Sequence, residues 1–149
     1  MTTGIRRISI ATADHKALAK DLGETFTRYG FAVVSDHGIP QLMVDQAFDR
    51  ARRFFELPDQ AKRGYIVPGG SGQRGYTAFR IETAKGANLP DLKEFWHVGR
   101  NLPPGHRLEK EMPRNVHASE IADFDAVTYR LYEAMDALGL KVLRGIAIY

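Results

Sequence analysis

The sequence predicts an α+β fold, in which amphipathic helices are joined by short strands, and three stretches carry that expectation. The first is Gly30-Phe31-Ala32-Val33-Val34-Ser35-Asp36-His37-Gly38-Ile39-Pro40, a β-branched run that stops at a polar turn and leads into a proline. The second is Phe54-Phe55-Glu56-Leu57-Pro58, where an aromatic pair and a second proline end the helix that Pro40 opens. The third runs from Glu120 to Tyr149, where apolar residues recur at helical spacing.

The elements follow in order. Ile5 to Ala11 alternates weakly, with Ile8 and Ile10 on one face, and reads as a short strand. Asp14 suits the start of a helix that runs to Tyr29, as a cap or first-turn acid. Leu18, Leu22, Thr25, Phe26 and Tyr29 form its buried face, and Gly30 closes it. Phe31 to Ser35 is the next strand, and Asp36-His37-Gly38 turns the chain. Pro40 sits in the first turn of the second helix, where a missing N–H costs nothing. Leu42, Met43, Ala47, Ala51 and Phe54 or Phe55 make the buried stripe of that helix, and Asp59 to Arg63 adds one short helical turn.

Residues 64–90 are rich in glycine, with short strands expected at Gly75 to Ile81 and Lys93 to Gly99. Asn101 to Asn115 reads as irregular surface. The last helix starts near Glu120, with Phe124, Val127, Leu131, Met135, Leu138, Val142 and Ile146 as its stripe. From Leu138 onward it is apolar on nearly every side, which a single small domain cannot cover. The expectation is that the chain stops inside a helix belonging to a larger body. The competing reading is a natural terminus buried in a dimer.

Composition narrows the function classes. The chain has 149 residues, 44% hydrophobic and 26% charged, ordinary values for one soluble domain with a core. No linker divides it. With no cysteine it has no disulfide, no thiolate metal site and no cysteine nucleophile, which fits a reducing compartment. No signal-peptide pattern is visible, and Leu138 to Tyr149 is shorter than the roughly 20 apolar residues a membrane span needs. A cytoplasmic location with no membrane partner is expected. The formal charge is only +3, and Arg50-Ala51-Arg52-Arg53 is the one basic cluster. A solvated surface is the favoured reading there and no nucleic-acid partner is expected; salt-sensitive DNA or RNA binding would support the other.

The candidate chemistry is thin. The histidines are His15, His37, His97, His106 and His117, and no His-x-Asp or His-x-Glu occurs, so no metal ligand is expected. His37 reads as a turn-fixing side chain and His97 as a satisfied core or strand histidine. Gly69-Gly70-Ser71-Gly72-Gln73-Arg74-Gly75 lacks the Gly-Lys-Ser/Thr of a phosphate-cradling loop. It reads either as a flexible loop at a binding mouth, with Arg74, Tyr76 and Arg80 able to reach a ligand, or as a solvated loop. Asp91, Lys93 and Glu94 precede Phe95-Trp96. They read as strand-edge charge beside a buried aromatic pair rather than as acid–base groups.

Together these residues resemble a known family. The Ile8-to-Ala11 strand, Gly30-Phe31 through His37-Gly38-Ile39, Phe54-Phe55-Glu56-Leu57-Pro58, Lys62, Gly75-Tyr76, Lys93-Glu94-Phe95 and Leu138-Gly139-Leu140 carry the resemblance. It is to the N-terminal region of the isopenicillin N synthase-like, 2-oxoglutarate/Fe(II)-dependent non-haem oxygenases. One departure is Asn115-Val116-His117-Ala118, where the family often shows Asn-x-Trp-Pro. The resemblance implies an N-terminal domain over 1–149 that braces a double-stranded β-helix (jelly-roll) core lying after 149. It also implies that the iron ligands, His-x-Asp and a distant His, follow the long helix, so that no metal or catalytic residue is carried over to this chain.

What the resemblance implies for function is an oxygenase oxidising a small-molecule substrate by hydroxylation, desaturation or ring closure, with Fe(II) and 2-oxoglutarate as cofactors. Some members of that family dispense with 2-oxoglutarate. Gln73, Arg74, Tyr76 and Thr77 would line the substrate side of the pocket. The chain alone would bind no iron tightly and turn over nothing. Its partner would be the catalytic domain, or a protein packing on Leu138, Val142 and Ile146. The alternative is a non-enzymatic interaction module that docks a partner through its apolar C-terminal helix.

Overall fold

The computed structural model describes residues 5–12 and 14–149. The elements run β1 (Arg7–Ser9), α1 (His15–Tyr29), β2 (Val33–Ser35), α2 (Gln41–Phe55), α3 (Asp59–Arg63), β3 (Gly75–Thr77), β4 (Phe95–His97) and α4 (Phe124–Ile148). Contacts divide the chain into two compact units, one of residues up to Gln41 with Glu133–Tyr149, the other Leu42–Tyr132. The boundaries fall at the start of α2 and within α4, so neither is a linker.

In the first unit β1 and β2 pair in parallel, with Ile8 opposite Val34, and α1 connects them. The Asp14 carboxylate accepts the amides of Lys16 and Ala17, both at 3.0 Å, and so caps α1. Gly30, at φ 77°, ends the helix by returning its amide to the Phe26 carbonyl at 2.8 Å. Ile8, Ile10, Leu18 and Leu22 form the core, with Phe26, Val34, Leu138 and Val142 packed around them. Gly145 lets α4 close on α1, since a Cβ there would fall 2.7 Å from Leu22 Cδ1.

Leu138 and Val142 are partly buried, packed against the core of their own unit. Ile146 is 41% exposed, and Met135, Leu140, Leu143, Ile148 and Tyr149 are exposed with it. The helix has one core stripe, and the apolar residues off that stripe stay uncovered.

In the second unit Phe54 is fully buried at the centre of an aromatic cluster. The rings of Phe55, Tyr65, Tyr76, Trp96 and Phe124 lie with centroids 5.5, 5.8, 5.9, 4.6 and 5.4 Å from it, mostly edge to face. Ala47 shares the buried stripe of α2, but Leu42 is 66% exposed, because the core is built around the C-terminal turns of that helix. β3 and β4 pair antiparallel, with Tyr76 opposite Trp96.

Both strands of this pair are shorter than expected. Arg80, at φ 65°, turns the chain out of the extended region after β3, and past β4 the Asn115 side chain captures both backbone groups of Gly99. Helix α4 begins at Phe124 rather than near Glu120, because Asp123 stands at φ 59°, outside helical geometry.

Candidate functional site

The chemistry-bearing groups of the second unit converge on the β3–β4 pair. Strand β3 brings Tyr76 under the ring of Phe54, and Glu94 immediately precedes β4. Helix α3, started by Pro58, carries Lys62 inward, where its side chain is only 5% exposed. The Lys62 ammonium donates to Glu94 Oε2 at 2.9 Å and to the Phe55 carbonyl at 3.3 Å, with Asp59 also 3.3 Å away. The Tyr76 hydroxyl donates to the same Glu94 oxygen at 2.5 Å.

A half-hidden carboxylate therefore receives one charged and one neutral donor, which is the condition for keeping a buried charge. Burial pushes the Tyr76 phenol up to about 12, and its hydrogen bond to Glu94 and the negative charge there push the same way. Burial works against the charge on Lys62, but hydrogen bonds to Glu94 and Asp59 outweigh it, and its pKa rises above the ordinary value. At neutral pH Lys62 is charged and Tyr76 is a neutral donor.

The four residues expected at a substrate wall fall into different situations. Gln73 is exposed on the loop before β3. Arg74 is buried, at 9% relative exposure, and its guanidinium lies against Gly99, where a Cβ would fall 2.0 Å from Cζ. Its Nη1 donates to the Gln73 carbonyl at 2.7 Å, while Nε is buried without a partner. Thr77 Oγ1 is likewise buried and unpartnered, against Gly72. Tyr76 is engaged by Glu94. The glycine loop and β3 thus deliver one exposed amide and two buried polar atoms with spare hydrogen-bonding capacity.

Other sequence expectations resolve plainly. His37 Nδ1 accepts the Ile39 amide at 3.1 Å and fixes its turn. His97 is on β4 as expected, but exposed rather than in the core. Lys93 pairs with Asp91 at 2.8 Å and Glu82 at 3.4 Å as surface charge, whereas Glu94 is the internal acceptor just described. In the Arg50–Arg53 cluster Asp49 pairs with Arg50 at 2.6 Å and Arg52 at 3.2 Å, and these bonds hold its carboxyl below the usual range. The residues missed are Asn115, which clamps Gly99, and the pair His117–Asp125. Glu94 and Lys62 stand 32 positions apart, so no local pattern links them.

The family of the non-haem dioxygenase in morphine synthesis, N-terminal, matches residues 5–120. The chain belongs to that family. It resembles the crystal structure of a protein assigned to the 2OG-Fe(II) oxygenase family from Caulobacter crescentus, at 47% identity and a TM-score of 0.86, over 99% of this chain and 49% of that one. The UPF0676 protein of Schizosaccharomyces pombe is 29% identical over 83% of this chain and 39% of its own length. The 2-oxoglutarate-dependent dioxygenase tropC of Talaromyces stipitatus is 31% identical over 60% of this chain and 28% of its own length. The chain spans less than half the length of each of these relatives.

Fe(II) and 2-oxoglutarate are the cofactors this family implies. Among the described residues no group of three or more His, Cys, Asp or Glu side chains could hold a metal ion. The pair His117–Asp125 offers only two such groups, and Asp125 also accepts the Ala118 amide at 3.2 Å. The described residues do not fit an iron centre, and no chemical step is assigned to iron on this chain. Among them no helix is long and apolar enough to cross a membrane.

Proposed function

We propose that this chain is the N-terminal portion of an Fe(II)/2-oxoglutarate-dependent oxygenase that oxidises a small organic substrate in the cytoplasm. The observation that carries the reading is the family match over residues 5–120, on a chain that spans 49% of its Caulobacter relative. A jelly-roll domain after residue 149 holds the iron, and the outcome is hydroxylation, desaturation or ring closure. Iron with 2-oxoglutarate supplies the oxidising power when bound there, and this chain's residues shape and brace the pocket.

Within that pocket Gln73 contacts substrate directly. Arg74 and Thr77 offer the spare capacity of their unpartnered atoms, and Tyr76 holds the wall in place through Glu94. The chain by itself is inactive. The test is a turnover assay with Fe(II), 2-oxoglutarate and candidate substrates, on the full product of the source gene and on the 149-residue chain. The expected result is succinate formation by the full product alone, with a Gln73→Ala change raising KM more than it lowers kcat. Absence of 2-oxoglutarate consumption by an iron-loaded full product would contradict the reading.

A further inference from the structure

Among the described residues the second unit buries two basic side chains, Lys62 and Arg74, and treats them differently. The Lys62 ammonium meets Glu94 at 2.9 Å and Asp59 at 3.3 Å, so its charge is compensated. Arg74 makes one hydrogen bond, from Nη1 to the Gln73 carbonyl at 2.7 Å. Among the described residues no carboxylate stands within ion-pair distance of it, and Nε is buried without an acceptor. A guanidinium cannot shed its proton inside a protein, so burial leaves it charged. A buried charge is kept only where an opposite charge or strong acceptors meet it. One neutral carbonyl on one of three nitrogens does not meet that condition.

The open groups define what is missing. With Nη1 engaged, Nε–H and Nη2–H remain, side by side on one edge of the guanidinium. That edge is a planar fork, which pairs with both oxygens of a carboxylate. Gly99 leaves it clear. A Cβ on Gly99 would fall 2.0 Å from Cζ and from Nη2, and 2.5 Å from Nε. A group at the edge would stand farther from Cζ than from either nitrogen, so Gly99 lies over the guanidinium plane instead. Arg74 is already covered to 9% relative exposure by this chain, which leaves access for a group of a few atoms and not for a further protein element. Gln73, bonded to it through its carbonyl, is exposed.

We propose that Arg74 receives a carboxylate carried by the substrate, so that the substrate is an organic acid. The carboxylate supplies the counter-charge that the chain withholds, and Gly99 keeps the guanidinium seated because any side chain there would displace it. This inference rests on the proposed function, which supplies the substrate and sets Gln73 against it.

The proton–nitrogen NMR signal of the Arg74 Nε–H group in the full gene product tests it. The probes are benzoate and its uncharged analogue benzamide, with 2-oxoglutarate saturating throughout so that a shift reports a second carboxylate. Benzoate is expected to shift the signal saturably and benzamide to leave it in place. Arg74→Met is expected to abolish benzoate binding. It is also expected to keep or raise the melting temperature of the full product without benzoate, because it removes an unpaired charge. Arg74→Lys keeps the charge without the fork and is expected to weaken benzoate binding. No saturable shift with benzoate, or an equal shift with benzamide, would overturn the carboxylate assignment. So would a melting temperature lowered by Arg74→Met, which means that an acidic side chain outside these 149 residues already pairs with the arginine. The oxygenase reading survives any of these results if the full product consumes 2-oxoglutarate. A full product that binds benzoate but consumes none would sink the oxygenase reading and leave the carboxylate site standing.

Discussion

Glu94 decides the character of the candidate site at the scale of single residues. Its carboxylate binds the Lys62 ammonium and the Tyr76 hydroxyl together, tying α3 to both strands. The linkage to pH follows from the raised values. Tyr76, ordinarily near 10, stands at about 12 in the folded chain, so its contribution to stability is complete below pH 10 and is lost as pH rises through 12. Lys62 is raised as well and acts in the same direction. The urea midpoint is expected to fall between about pH 10 and 12, and to fall less steeply in a Tyr76→Phe variant. A midpoint that stays level over that range would contradict the assignment. Gly99 is equally constrained, because the Arg74 guanidinium occupies the space of its missing side chain. Gly99→Ala is expected to cost about 1–3 kcal/mol by overpacking, measured by denaturant unfolding.

The elements were largely legible in the sequence. The capped start of α1 at Asp14, its end at Gly30, the Asp36–Gly38 turn and the short α3 each have a local signal, and each forms where expected. Asp14→Ala is expected to lower stability by about 1 kcal/mol, read as a shift in denaturant midpoint, because two α1 amides lose their acceptor. The strand ends and the start of α4 were not legible. They depend on left-handed backbone at Arg80 and Asp123 and on the distant Asn115, and nothing in the local pattern marks any of these. The buried pairing of Lys62 with Glu94 was hidden for the same reason. Both residues look like surface charge until the fold brings them together.

For the whole molecule, the apolar character of the last helix had two causes that periodicity cannot separate. Leu138 and Val142 belong to a core within the chain, while Leu140, Leu143, Ile148 and Tyr149 remain exposed. Exposed apolar surface is a liability that proteins ordinarily cover. It is explained if the chain is the front portion of a larger oxygenase. The most direct test is the intact mass of the native protein in its source organism. The account predicts a mass well above 16.7 kDa, with His-x-Asp and a distal His in the added sequence. A native mass of 16.7 kDa would contradict it.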